Sequence, residues 1–186
     1  MWSPLPKKLT DSLVQELEGN KNAMSRTMLE SNIDDINDLF MEQGYDDAGQ
    51  FMKNVAAAES NLGSDELGDY SFSPFQIDDI RYEDIVQRAS ETPGSSAHKR
   101  AMVANEYLQK ELGRPDFDIL NLNLKDEEHN PLIGAALTRM GLANIKDPIP
   151  SDIEGQATYW KDHWNTEAGA GDTDHFKSQV SHHYGL

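Results

Sequence analysis

The chain has 186 residues, a length that suits one domain, or one domain with a helical appendage, and is ample for a hydrophobic core. Its 33 acidic and 16 basic residues leave a net charge of -17, which argues against binding nucleic acid or anionic membranes through charge. The lack of cysteine excludes disulfides, thiolate metal ligands and a thiol nucleophile. No apolar run approaches the roughly 18 residues of a transmembrane helix, so we expect no membrane-spanning segment.

The start of the chain and its charge pattern bear on location. The first 19 residues contain no long apolar stretch ahead of a small-residue cleavage site, which predicts synthesis and first folding in the cytosol. Residues 1–29 carry a net charge of +1, residues 30–95 carry -13 and residues 96–186 carry -5. The middle of the chain is therefore its acidic part.

The first 45 residues are predicted to form three amphipathic helices. Apolar residues three or four positions apart define one face of each helix, and glycine ends the first and the third. The residues concerned are Leu9, Leu13 and Leu17, then Met24 and Met28, then Ile33, Ile36, Leu39 and Phe40, with Gly19 and Gly44 as the ends. We assign residues 1–45 to an N-terminal helical extension, which either docks onto a carrier protein or packs onto the rest of the chain.

Residues 46–186 are predicted to form the main domain. Its first helix carries Asp46 and Asp47 in its first turn and ends between Ser60 and Gly63. Residues 61–77 mix glycine, proline and serine with aromatic residues, which predicts a loop or a short irregular hairpin. Further helical patterns lie at about 78–90, 98–112, 131–145, 151–164 and 173–182. The sequence thus predicts a mainly α protein with one irregular segment.

Glu59 is the first candidate for chemistry. The three alanines at 56–58 allow close helix packing, which would place its carboxyl in the last turn of a buried helix. Burial, the negative end of the helix dipole and the neighbouring acids all disfavour the ionised form, so we expect a raised pKa. A carboxylic acid that is protonated near neutral pH can serve as the general acid that cleaves a glycosidic bond. The alternative is a solvated glutamate at a helix end.

The residues after Glu59 follow a recognisable order. Ser60 and Gly63 come first, and a turn then leads to the Phe-Gln-Ile run of residues 75–77. This order resembles the lysozyme-like lytic transglycosylases, although residues 70–74 replace the glycine-rich turn of that family with serines and a proline. The resemblance implies a lysozyme-like helical domain in which Glu59 acts first as acid and then as base. It also implies that Ser60 orients Glu59 or binds substrate and that the glutamine of the run faces the cleft.

A second segment, residues 156–171, carries an aromatic stripe on one predicted helix face, a pattern that is usually core packing. Within it, residues 164–169 resemble the Tyr-Asn-Ala-Gly element that lines the sugar cleft of the same family. The wider run that starts at Tyr159 resembles peptidoglycan-degrading domains of phage virions. The two segments occur in the order of the family and together span residues 46–171.

The resemblance implies a virion-associated peptidoglycan lytic transglycosylase, made in the host cytoplasm, that opens the bacterial cell wall during phage genome entry. It would cleave the bond between N-acetylmuramic acid (MurNAc) and N-acetylglucosamine (GlcNAc) without a cofactor. Expected partners are glycan strands of peptidoglycan and other phage virion or tail proteins, the latter through the N-terminal helices; no nucleic acid is expected. The candidate substrate contacts are Ser60, Tyr70, Phe75, Gln76, Tyr159 and Asn165.

Two other functions remain open. A lysozyme-type hydrolase would use a second carboxylate, for which Asp69 is the candidate because a short hairpin can fold back across ten residues. A transglycosylase needs only Glu59, since in that family the 6-hydroxyl of MurNAc attacks its own anomeric carbon. A catalytically inactive structural phage tail or internal virion protein would keep the fold alone. The pair His182-His183 lacks the carboxylate or cysteine pattern of a metal site, so none is predicted.

Overall fold

The computed structural model describes residues 26–64, 71–127, 130–165 and 171–185. These residues contain seven α-helices and one β-hairpin, so the predicted mainly α class is confirmed. The helices are α1 (described from 26 to 42), α2 (Gly49–Ser60), α3 (Asp79–Ser90), α4 (Ser96–Leu112), α5 (Pro131–Leu142), α6 (Ile153–Trp160) and α7 (Thr173–Tyr184). The strands are β1 (Ser71–Phe72) and β2 (Ile77–Asp78), and a 3-10 helix (Leu124–Glu127) and a π-helix (Lys161–Asn165) complete the set. None of the described helices is both long and apolar enough to cross a membrane.

Helix α1 belongs to the common hydrophobic core. Ile33 and Ile36 are fully buried and Phe40 nearly so, at the spacing of one helix face. The separate helices predicted around Met28 and Ile33 form one continuous helix, because no glycine or proline interrupts residues 26–42. It ends just before Gly44, which takes the left-handed conformation expected at a helix end. Residues 26–42 thus pack onto the rest of the chain, whereas Met24 and the helix predicted at Leu9, Leu13 and Leu17 lie outside the described residues.

Helix α2 begins at Gly49, after both aspartates that were expected in its first turn. Asp47 instead links α1 to α2, since its Oδ1 accepts hydrogen bonds from Gly49 N–H at 2.8 Å and from Asn37 Nδ2 at 2.9 Å. Asn37 Oδ1 in turn accepts from Ala48 N–H at 2.9 Å. The first-turn prediction is therefore wrong, because a side chain distant in sequence satisfies the backbone at this helix start.

Helices α2, α6 and α7 form the part of the core that carries the candidate site. Helix α2 packs on α7, and α7 packs on α6. Ala56 and Ala57 are fully buried, and their small side chains permit close approach of the neighbouring helices. In the first turn of α2, the ring of Phe51 meets Tyr159 edge-on with centroids 5.3 Å apart and Phe176 at 6.4 Å. These contacts pack the start of α2 against α6 and α7.

The predicted irregular hairpin is present after α2. Strands β1 and β2 pair antiparallel, with Phe72 opposite Ile77. Ser73 and Gln76 take φ values of +65° and +48°, and Gln76 N–H donates to Ser73 O at 3.0 Å to close the turn. Serine and glutamine thus occupy left-handed positions for which glycine is the usual residue.

Helix α5 passes close to this turn at Gly134. A Cβ at that position would lie 2.4 Å from Ser73 Cβ, and Ser73 is fully buried. We expect Gly134→Ala to destabilise the protein by about 1–3 kcal/mol, because the turn has no space to retreat into. Chemical denaturation measures the difference.

Gly141→Ala on the same helix is the matched control. Its added Cβ would lie 3.4 Å from its nearest neighbour, the end of the Ile85 side chain, which is an ordinary contact. Helix propensity then favours alanine by up to about 1 kcal/mol. Equal unfolding free energies for the two variants would contradict the close approach.

Candidate active site

Glu59 lies in the last turn of α2 and is half-buried. Its Oε1 accepts a hydrogen bond from Trp160 Nε1 at 2.8 Å. Burial raises the pKa of the Glu59 carboxyl to about 7, against the opposing effects of the Trp160 hydrogen bond and of Arg81 and His175. The expected raised pKa and its cause, burial, are confirmed. The described charged groups that act on Glu59 are an arginine and a histidine, and the acids at 65–69 that were expected to help lie outside the described residues.

The indole of Trp160 is locked in place by its surroundings. It is only 1% exposed, and its ring lies 5.2 Å from that of Phe176 on α7. A Cβ at Gly171 would lie 2.7 Å from the far edge of the indole, so only glycine fits there without displacement. Because the indole cannot shift, its N–H is held on the carboxyl of Glu59.

Ser60 and Gln76 join the end of α2 to the hairpin. Gln76 Nε2 donates to the backbone carbonyl of Glu59. Ser60 Oγ donates to Pro74 O at 2.6 Å and accepts from Gly63 N–H at 2.9 Å. Since Ser60 is fully buried, the prediction that it contacts substrate is wrong; it positions the segment that carries Glu59. Gln76 is half-buried beside Glu59, and its contact with substrate stays a prediction.

Phe75 and Tyr159 pack in the core. Phe75 is fully buried and Tyr159 is 6% exposed, so neither offers a ring face for a sugar, and both predictions of substrate contact are corrected. The Tyr159 ring lies 4.5 Å from that of His163, and its hydroxyl donates to Asp147 O at 3.2 Å. Large aromatic rings serve a core as readily as a cleft, and sequence spacing does not separate the two uses.

Asn165 ends the π-helix on the same side as Trp160. Its Oδ1 accepts from Lys161 Nζ at 2.8 Å, and Lys161 also donates to Gly171 O at 2.8 Å. Gly171 is the residue that abuts Trp160, so Asn165 lies near the partner of Glu59. A π-helix is uncommon and often marks a functional site. The two remaining candidates, Asp69 and Tyr70, lie outside the described residues.

Arg81, which the sequence did not single out, connects the hairpin side of the site to the π-helix. It donates from Nη1 to His163 O at 3.4 Å and from Nη2 to Trp164 O. Its guanidinium lies 4.1 Å from the centroid of a Trp164 ring, a cation–π contact. The side chain therefore satisfies carbonyls near a helix end and places a positive charge near Glu59.

His175 and Trp164 were also missed as site residues. His175 Nε2 donates to Ala58 O at 2.9 Å, next to Glu59 in the chain. Trp164 Nε1 donates to Phe75 O at 3.3 Å and so ties the π-helix to the hairpin. Trp164 belonged to the aromatic stripe seen in the sequence, but His175 carried no signal because its contact spans 117 residues.

Backbone conformations of high energy gather around Glu59. The described non-glycine residues with positive φ are Asn61, Leu62, Ser73 and Gln76, with φ between +48° and +65°. All four lie in the two segments that flank the carboxyl, namely the end of α2 and the hairpin turn. Such conformations persist only where the surrounding structure enforces them, and they cluster at functional sites.

Comparison with protein-family models, with curated proteins and with solved structures finds no match. Within the described residues, no group of three or more histidine, aspartate or glutamate side chains could hold a metal ion.

The raised pKa of Glu59 couples stability to pH. The folded pKa of about 7 exceeds the ordinary value of 4.5, so the stability of the protonated form is fully present below pH 4.5 and is lost as pH rises through 7. Across that pH range the wild type should lose about 3 kcal/mol of unfolding free energy, and Glu59→Gln should lose much less. Denaturant unfolding at pH 4.5 and pH 8 measures the difference for each protein, with the exposed Glu83→Gln as control. A pH dependence unchanged by Glu59→Gln would contradict the buried acid.

Arg81 should lower the pKa of Glu59 through its charge. We expect Arg81→Gln to raise that pKa further, because burial then acts with less opposition, and Arg81→Lys to raise it less. A carbon-13 NMR titration of the glutamate carboxyls measures the value without any assay of activity. Arg88→Gln, on the exposed face of the same helix, is the control. An unchanged Glu59 titration in folded Arg81→Gln would contradict the electrostatic contact.

Proposed function

We propose that the protein is a peptidoglycan lytic transglycosylase in which Glu59 serves as the single acid and base. The observation that carries the proposal is a half-buried carboxyl with a pKa of about 7, held by Trp160 at the end of a packed helix. A group with this pKa is present in both protonation states near neutral pH, which suits a residue that donates a proton and later accepts one.

The hydrogen bond from Trp160 assigns different roles to the two carboxyl oxygens. An indole N–H only donates, so Glu59 Oε1 acts as acceptor and the acidic proton belongs on Oε2. In the first step Oε2 gives its proton to the glycosidic oxygen as the bond from that oxygen to the anomeric carbon of MurNAc breaks. The GlcNAc end leaves as an alcohol, and the carboxylate that forms is stabilised by Trp160 and Arg81.

The second step closes the cycle. The Glu59 carboxylate accepts the proton of the MurNAc 6-hydroxyl while that oxygen bonds to the anomeric carbon, which gives a 1,6-anhydro end. Glu59 is protonated again, and no water is consumed. Gln76 and Asn165 flank the site and carry amides suited to the acetamido groups of the substrate.

A lysozyme-type hydrolase is the second candidate, because it uses the same acid. It would need a further carboxylate to activate water or to attack the sugar. The described charged side chains that act on Glu59 are Arg81 and His175, and neither is a carboxylate. The hydrolase would depend on Asp69, which lies outside the described residues.

The same proposal includes delivery in a phage virion, as a tail or internal protein that acts on the cell wall of the host. Two features support it: the resemblance of residues 156–171 to peptidoglycan-degrading domains of phage virions, and the net charge of -17. That charge opposes long-range capture of an anionic wall, whereas an enzyme attached to a particle already acts at high effective concentration. Contact with the carrier is assigned to the N-terminal residues.

Isolated peptidoglycan sacculi provide the test. We expect the purified protein to release muropeptides and Glu59→Gln to lower the rate by about 10²–10⁴, the usual contribution of a general acid. Release by the wild type should decline as pH rises through 7, because Glu59 ionises. Glu83→Gln, an exposed carboxyl on α3, should behave as the wild type. Equal release by the wild type and Glu59→Gln would refute the role of Glu59.

Mass spectrometry of the products separates the candidates. Anhydro ends identify the transglycosylase, and reducing ends identify the hydrolase. Folded wild-type protein that releases nothing would support the inactive structural virion protein.

A further inference from the structure

A second group of charged residues surrounds a cavity at the N-terminal end of α2, the end opposite Glu59. The cavity has a volume of about 280 Å³ and lies between the α1–α2 connection, the end of α5 and residues 143–149. Its charged lining residues are Asp46, Asp47, Arg139, Lys146 and Asp147. The proposed function uses none of them.

Arg139 supplies a buried positive charge to this cavity. The residue is 3% exposed, and burial lowers the pKa of its guanidinium to about 10, so it remains charged at neutral pH. Its Nη2 donates to Asp46 O at 2.6 Å, and the guanidinium lies 4.9 Å from the Phe40 ring centroid. Its Nε has no hydrogen-bond partner among the described residues. An arginine donor left unpaired in the interior is costly.

No carboxylate of a described residue forms an ion pair with Arg139 or with the neighbouring Arg100. Arg100 is also buried, and its Nη1 donates to the hydroxyl of Tyr45, a lining residue. Asp47 and Asp46 act on Arg139 through their charges and oppose the lowering of its pKa, yet neither carboxylate pairs with the guanidinium directly, and its Nε keeps no partner among the described residues. A carboxylate in the cavity would supply the guanidinium with a charge-assisted hydrogen bond.

The outer rim of the cavity has the opposite character. Asp46, Asp47 and Asp147 are exposed, as is Lys146, so this rim carries three carboxylates and one ammonium, and the Asp147 carboxylate lies 3.5 Å from His163 Nε2. A simple anion would meet these three carboxylates, and a simple cation would meet buried Arg139. A ligand that carries both charges matches both parts of the lining.

We propose that this cavity binds a small zwitterion of the free amino acid class, with its carboxylate towards Arg139 and its ammonium among the rim aspartates. The volume lies near the lower end of small-molecule sites, which suits a ligand of this size. The site does not depend on the reaction proposed for Glu59.

Nuclear magnetic resonance of the full chain tests the proposal. Alanine is the zwitterionic probe, and acetate and ethylamine each carry one of its two charges. We expect alanine to cause saturable shifts in the backbone amides of residues 143–147 and 149. The two single-charge probes should bind at least about tenfold more weakly, a difference of about 1.4 kcal/mol. Absence of saturable shifts with alanine would overturn the proposal. Equal binding of acetate would also overturn it, because it would indicate a plain anion site.

Variants on the two sides of the cavity test the assigned contacts. Arg139→Lys should weaken alanine binding by about tenfold, because it removes the guanidinium fork, and circular dichroism checks its fold. Asp46→Asn changes an exposed rim residue, so the variant should fold. It should weaken the binding of alanine about threefold without weakening the binding of acetate. Lys110→Gln, exposed on α4, is the control. Unchanged alanine binding in folded Arg139→Lys and in Asp46→Asn would refute the assignment. Muropeptide release is not part of this test, so its outcome is independent of the proposed function.

Discussion

The hydrogen bond between Trp160 and Glu59 is the contact on which the arrangement of the site depends. It joins residues 101 positions apart, and it fixes one oxygen of a carboxyl whose pKa is raised by burial. Three features keep it in place: the alanines of α2 admit the neighbouring helices, Phe176 backs the indole, and Gly171 leaves room for its edge. Without burial, the pKa of Glu59 would return to its ordinary value even with the hydrogen bond intact.

The backbone next to this contact is held in conformations that it would not adopt alone. Leu62 and Ser73 take positive φ, at a cost of order 1 kcal/mol each, and neither is glycine. Ser60 offsets part of this cost because it hydrogen-bonds both to the segment after α2 and to the turn. The close packing of Gly134 on α5 against Ser73 leaves the turn no room to relax. The geometry of the site is therefore set by tertiary packing and not by local propensity.

This division explains how much could be predicted from the sequence. Apolar periodicity located most of the helices, and the composition of residues 61–77 indicated the hairpin. The start of α2 was misplaced because Asn37, on another helix, satisfies the backbone there. The three alanines before Glu59 at a helix end predicted a buried carboxyl with a raised pKa. The roles of Arg81 and His175 could not be predicted, since these residues reach Glu59 only through the tertiary fold. Phe75 was misassigned because the same ring suits a core or a sugar.

The position of the Trp160 indole has an optical consequence. Ionisation of Glu59 places a full negative charge on the carboxyl whose Oε1 lies 2.8 Å from the indole nitrogen, inside a packed and poorly screened interior. The energy levels of an indole shift with the electric field along its ring, so the ultraviolet absorption and fluorescence of Trp160 change with the charge state of Glu59. The protein thus carries an intrinsic chromophore that reports, in the resting molecule and without substrate, whether its central carboxyl holds a proton.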